Sequence, residues 1–202
     1  MDKTLYSEKE MASFNGLMNL MKKGANPYSI KVSDIAKAAN IGKGTIYDYF
    51  GSKEEAISEA ILYSLTNEIE SGYSRIKSKD SFKEKFYETL YTVSESVENN
   101  VSTFNMLLSV GGVQEFYEYL LDDRYDLSKC VSRVENVIEH LLEAGVREGV
   151  IDTKESRYYQ IMVVNSSIMG FAQYVSRKSL YPDTSIEEAM EAAYKLVVKA
   201  LN

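Results

Sequence analysis

The chain has 202 residues, a net charge of −7, two prolines, no tryptophan and a single cysteine, Cys130. That length suffices for one large or two small domains with a real core, while the lone cysteine excludes an internal disulfide and fits a reducing compartment. No apolar run approaches the ~18 to 20 residues that a bilayer span needs, and the acidic balance excludes indiscriminate binding to polyanions by the chain as a whole.

β-branched residues do not alternate as they do in strands, so the chain reads as all-α, with about nine helices. The first runs from about Ser7 to Lys23, is apolar at Met11, Phe14, Leu17, Met18 and Met21, and stops at Gly24. Asn26-Pro27-Tyr28-Ser29 is a loop. The second and third helices lie within Val32–Phe50. Ile35, Ala36 and Ala39 share a face of the second, and the small Ala36 admits a close crossing. Asn40 stands where the chain reverses, and asparagine tolerates positive φ. Ile41 points back toward the core, and Gly42 caps the third helix. Ile46 and Phe50, four apart, bury the back of that helix and leave Lys43, Thr45, Tyr47 and Tyr49 on other faces. Two short helices around a tight turn, the second rich in small, basic and hydroxyl side chains, have the form of a helix-turn-helix reader of DNA.

Ser52-Lys53-Glu54-Glu55 is a capping box opening a fourth helix that ends about Ser71 or Gly72. Ser81-Phe82-Lys83-Glu84 opens a fifth, to about Glu98. A sixth covers roughly 102–110 and breaks at Gly111-Gly112, with a short segment following over 113–121. Val131, Val134, Ile138, Leu141 and Leu142 mark a long seventh helix ending near Gly149. The eighth, Tyr158 to Arg177, is apolar nearly all round and needs cover on several sides. Pro182 interrupts, and Ser185-Ile186-Glu187-Glu188 leads the ninth to Leu201, with Ala189, Ala192, Ala193, Leu196, Val197 and Ala200 suited to close packing.

The charge is unevenly spread. Residues 20–53 hold six lysines against two aspartates, a net +4, which leaves −11 for the remainder. A small basic end on an acidic body orients a molecule toward phosphate without general stickiness.

The stretch from about Glu10 to Ala56 resembles the TetR family of bacterial transcriptional regulators. The resemblance is carried by the apolar first helix, Asp34-Ile35-Ala36, Gly44-Thr45-Ile46-Tyr47, Tyr49-Phe50 and Ser52-Lys53-Glu54-Glu55. It covers roughly a quarter of the chain strongly and the rest in layout. It implies a helix-turn-helix DNA-binding domain over residues 1–52 and a helical effector-binding and dimerisation domain over residues 53–202. Three positions depart from the pattern. Lys31 stands where the family caps the second helix with Ser or Thr, so Ser29, Ser33 or water must cap instead. Asn40 replaces the turn glycine. Asp48, an acid facing a polyanion, follows the key tyrosine; it either accepts from a cytosine amino group or points to solvent or a neighbouring lysine.

The resemblance further implies that the third helix enters the major groove. Lys43, Gly44 and Thr45 then stand at the end that meets base edges, with Lys43 aimed at guanine and Thr45 at a thymine methyl or a phosphate. Gly44 admits close backbone approach or is a frayed first turn. Tyr47 donates to phosphate, Tyr49 lies beside it, and Lys53, Lys31 and Ser33 are further backbone contacts. In similar proteins the last two helices pair with their copies in a four-helix bundle. The partners implied are a palindromic double-stranded operator, a second copy of the chain and a small-molecule effector, which alters the spacing of two reading heads set about 34 to 36 Å apart or a multiple of that. Tyr91, Phe104, Leu108, Phe116 and Tyr117 are either plain core or the lining of a ligand cavity.

No metal, cofactor, membrane or catalytic role is expected. His140 is the only histidine, and no nucleophile, base and metal constellation is visible. Met1-Asp2-Lys3-Thr4 has no basic stretch followed by an apolar one, so a cytoplasmic location is expected. The expected function is that of a sequence-specific DNA-binding repressor released by its effector. The alternative is a helical protein-interaction module without DNA binding, supported only by Asp48 and the modest basic patch.

Overall fold

The computed structural model describes residues 6–25, 29–98, 128–152 and 154–202, and in them the chain forms eight α-helices and no strand. These are α1 (Glu8–Lys22), α2 (Val32–Ala38), α3 (Lys43–Tyr49), α4 (Lys53–Lys77), α5 (Phe82–Glu98), α6 (Ser128–Arg147), α7 (Arg157–Ser176) and α8 (Ile186–Ala200), with a 3₁₀ turn at Lys178–Leu180. The all-α reading holds. The helix expected over 102–110, the segment over 113–121, the Asn26-Pro27-Tyr28 part of the first loop and the Cys130 side chain lie outside the described residues.

The chain divides into two compact units. The described part of the first is residues 6–25 and 29–67. Ser7 opens α1 with a reciprocal cap: its hydroxyl accepts from the Glu10 N–H, and the Glu10 carboxylate accepts from the Ser7 N–H. α1 ends at Gly24, whose φ of +86° places it in the left-handed region. There the Ala25 N–H donates to the Leu20 carbonyl and the Gly24 N–H to that of Met21, the paired bonds of a Schellman motif. The core joins Phe14, Leu17, Met18 and Met21 of α1 to Ile35 and Ala36 of α2, Ile46 of α3, Phe50, and Ala56, Ile57, Ala60 and Ile61 of α4. A Cβ on Gly16 would stand 2.8 Å from the Ala39 backbone nitrogen, so only glycine lets α1 and α2 cross this closely. α4 starts at Lys53, its first turns are part of this core, and the two units divide within it, between residues 67 and 68.

The second unit comprises residues 68–98 and, from the described remainder, 128–202. Phe82, Phe86 and Leu90 of α5 are fully buried with Leu141 and Leu142 of α6, Val164 of α7 and Met190 and Val197 of α8. The Ser167 hydroxyl donates to the Ala193 carbonyl at 2.7 Å and ties α7 to α8. α6 closes as α1 does, with Gly149 at φ +69° and the Val150 N–H on the Gly145 carbonyl.

One local expectation is corrected. α4 does not stop at Ser71 or Gly72 but continues to Lys77. A Cβ at Gly72 would meet the Thr92 methyl at 2.8 Å, so this glycine serves the close approach of α4 and α5 rather than a helix end. At the start of α2 the Asp34 carboxylate accepts from the Lys31 N–H at 3.3 Å, a contact beyond the serines named for this end.

Candidate nucleic-acid interface

The turn between α2 and α3 determines how α3 is presented. Asn40 has φ +55°, the only positive value at a non-glycine among the described residues. The Ile41 N–H donates to the Ala36 carbonyl at 2.9 Å and the Asn40 N–H to that of Lys37 at 3.2 Å. This is the Schellman closure of α1 repeated with asparagine in the glycine position. Ile41 turns its side chain toward the core, and Gly42 takes the extended N-cap conformation at φ −70°, ψ 145°. Ile46 and Phe50 are sealed beneath α3. Complete burial of an isoleucine contributes about 1.5–3 kcal/mol, so the back of this seven-residue helix anchors it where its own hydrogen bonds would not.

The other side of α3 is open. Lys43, Gly44, Tyr47, Asp48 and Tyr49 are exposed, and Thr45 is half-buried. Tyr47 keeps 51 % and Tyr49 41 % of its surface accessible. Apart from its chain neighbours and the backbone of its own helix, nothing among the described residues lies within 4 Å of where a Gly44 Cβ would stand. The fold therefore has no internal need for glycine there, although glycine in a helix costs about 1 kcal/mol relative to alanine.

Around α3, Lys31 and Ser33 are exposed at the start of α2. Lys53 is half-buried at the start of α4, with its Nζ 3.5 Å from a Glu54 carboxylate oxygen. Ser52 caps α4 as expected by accepting from the Glu55 N–H, while the return bond shifts by one residue, the Glu55 carboxylate accepting from the Gly51 N–H at 2.8 Å. In the same unit burial, then Glu55 and Glu10, raise the Glu59 carboxyl above its ordinary range. Exposed lysines stand at Lys31, Lys37 and Lys43 around the turn, with the exposed acids Asp34 and Asp48 among them.

The sequence reading of α3 and its turn is reproduced in place. It missed Asp34 as a cap, although an acid three residues after a cap position is a local signal. It also missed Gly16, whose constraint comes from a backbone more than twenty residues away. Of the candidate ligand-cavity residues, Tyr91 is exposed on α5, while Phe104, Leu108, Phe116 and Tyr117 lie outside the described residues.

Residues 24–60 match the family model described as bacterial regulatory proteins, tetR family. The match spans the closing glycine of α1, both helices of the turn and the first turns of α4. Over the whole chain the fold is similar to a TetR transcription regulator from Haloarcula marismortui (TM-score 0.70, 15 % identity, 98 % of this chain and 100 % of that one). It is also similar to the fatty acid degradation regulator FadR from Bacillus halodurans (0.64, 15 %, 96 % of each chain). A third similar structure is FadR from Bacillus subtilis in complex with stearoyl-CoA (0.60, 18 %, 95 % and 97 %). At these identities the likeness is one of fold. No curated protein sequence matches the chain.

Proposed function

We propose that this chain, whose N-terminal domain is that of the tetR family of bacterial regulatory proteins and whose fold is that of TetR regulators, is a repressor released from a palindromic operator by a small molecule. The carrying observation is α3: its back is locked by Ile46 and Phe50, while Lys43, Gly44 and Tyr47 face outward with open space before Gly44. A helix so held lies in a major groove, with Lys43 and Thr45 at base edges and Tyr47, Tyr49, Lys31, Ser33 and Lys53 around the phosphates. The chain works as a homodimer through α7 and α8. Met162, Met169 and Leu196 are exposed on these two helices, which supports a second copy as their cover. The effector binds in the C-terminal domain, with Tyr91, Phe104, Leu108, Phe116 and Tyr117 as its candidate contacts, and favours one spacing of the two heads over the other. That a protein of this fold was crystallised with stearoyl-CoA supports an effector site and makes that thioester the first probe.

The test is a fluorescence-anisotropy titration against DNA selected from a random-sequence library. Lys43→Ala and Tyr47→Ala each weaken binding about tenfold while thermal unfolding stays put, because both side chains are exposed. Loss of a phosphate contact also lowers the salt slope by about one. If both variants bind like the parent chain, the assignment of α3 as the reading helix fails.

A further inference from the structure

The acid on α3 is costly where it stands. Asp48 lies in the last turn of a helix spanning Lys43–Tyr49, where the exposed carbonyls form the negative end of the helix dipole. Aspartate is also a weak helix former. No lysine or arginine compensates in that last turn, and the exposed Asp48 carboxylate has neither an ion pair nor a hydrogen bond among the described residues. It shares a face with Gly44, one helical turn earlier, the position with empty space before it. The fold thus gains nothing from Asp48 and places its charge where a polyanion would approach.

We infer that Asp48 is a specificity residue that accepts a hydrogen bond from a cytosine amino group in the major groove. This inference rests on the proposed DNA-reading role of α3. A carboxylate has only acceptors, and cytosine N4 is the base-edge donor it pairs with. At any site lacking that donor, the charge meets acceptors and phosphates and lowers affinity. Asp48 therefore acts against wrong sequences as much as for the right one. Gly44 and Asp48 work together: the bare backbone lets the helix sink deep enough for a short side chain to reach a base edge.

The experiment selects random-sequence duplexes with the full-length parent chain, Asp48→Ala and Asp48→Asn, and sequences what each retains. The parent motif carries a cytosine at one position per half-site, preferred about tenfold. Asp48→Ala keeps the other positions, loses that preference and binds unselected DNA severalfold more tightly at low salt. Asp48→Asn moves the preference toward adenine, whose N6 and N7 suit an amide. Both variants unfold at the parent temperature or above it, which separates specificity from stability. If Asp48→Ala selects the full parent motif with unchanged preferences, Asp48 is not a reader, although the DNA-binding reading survives. If the parent chain selects no motif, the inference and the reading beneath it fall together.

Discussion

Gly44 and Gly16 look alike in the sequence and differ in kind. Gly16 is required from within, because a Cβ would strike the Ala39 backbone at 2.8 Å. At Gly44 the same atom would meet nothing within 4 Å among the described residues beyond its chain neighbours and its own helix backbone. Replacement by alanine therefore separates the two roles. Gly44→Ala is expected to stabilise the chain by up to about 1 kcal/mol, the helix-propensity difference, and to weaken DNA binding about tenfold by placing a methyl where a groove edge approaches. Thermal unfolding and a DNA titration on the same variant check both halves. A stabilised variant with parental affinity would show that nothing docks closely at Gly44. Asn40 was legible because its constraint is local: the chain reverses over four residues, and few side chains accept φ near +55°.

At the scale of elements, helix ends were readable and helix–helix contacts were not. Ser7, Ser81 and Ser185 each precede a glutamate by three residues and cap as that spacing implies. Gly24, Asn40 and Gly149 each close a helix with a left-handed residue. Gly72 carries the same letter but answers to Thr92 on another helix, a relation no local window holds. The junction of α4, α5 and α6 shows the same limit. Lys85 is buried, and its ammonium donates to the carbonyls of Ile76, Lys77 and Lys79, capping the C-terminal end of α4. Arg75 and Lys79 meet the Glu88 carboxylate at 2.7 and 3.2 Å. His140 of α6 packs edge-on to Tyr73, and its Nε2 is sealed from solvent without a hydrogen-bond partner among the described residues. Burial first, then the positive charges of Lys85, Arg147 and Lys77 against the opposing pull of Glu143, hold His140 below its ordinary pKa. The folded chain then binds fewer protons at this ring than the unfolded one, between the depressed value and about 6.5. Stability is full above that window and falls as the pH drops through it. Urea midpoints at pH 7 and 5.5 are expected to differ less in His140→Gln than in the parent chain; equal slopes in the two would show that the ring does not titrate on unfolding.

For the whole molecule, the division of charge and the division of exposed apolar surface point to different partners. In the proposed complex the net +4 between residues 20 and 53 meets phosphate, while the remaining −11 disfavours contact by the rest of the chain. On the second unit, the inward side of α7 buries Val163, Val164, Phe171, Ala172 and Val175, while Met162 and Met169 stay 41 % and 40 % exposed. Leu196 on α8 is 52 % exposed. The sequence showed that α7 was too apolar for one covered side, but which side remained bare depended on α5, α6 and α8 packing against the other. In the proposed dimer these residues are covered by the second copy, and the pairing sets two α3 helices on one operator. Met169→Glu combined with Leu196→Glu places carboxylates in that interface without touching the buried side of either helix. The double variant is expected to keep its helical circular dichroism, to scatter light as a monomer at micromolar concentration, and to lose at least about a hundredfold in operator affinity as the two heads cease to bind as one. A double variant that stays dimeric would move the interface off α7 and α8. One that becomes monomeric but binds DNA as tightly as the parent would break the link between dimerisation and reading.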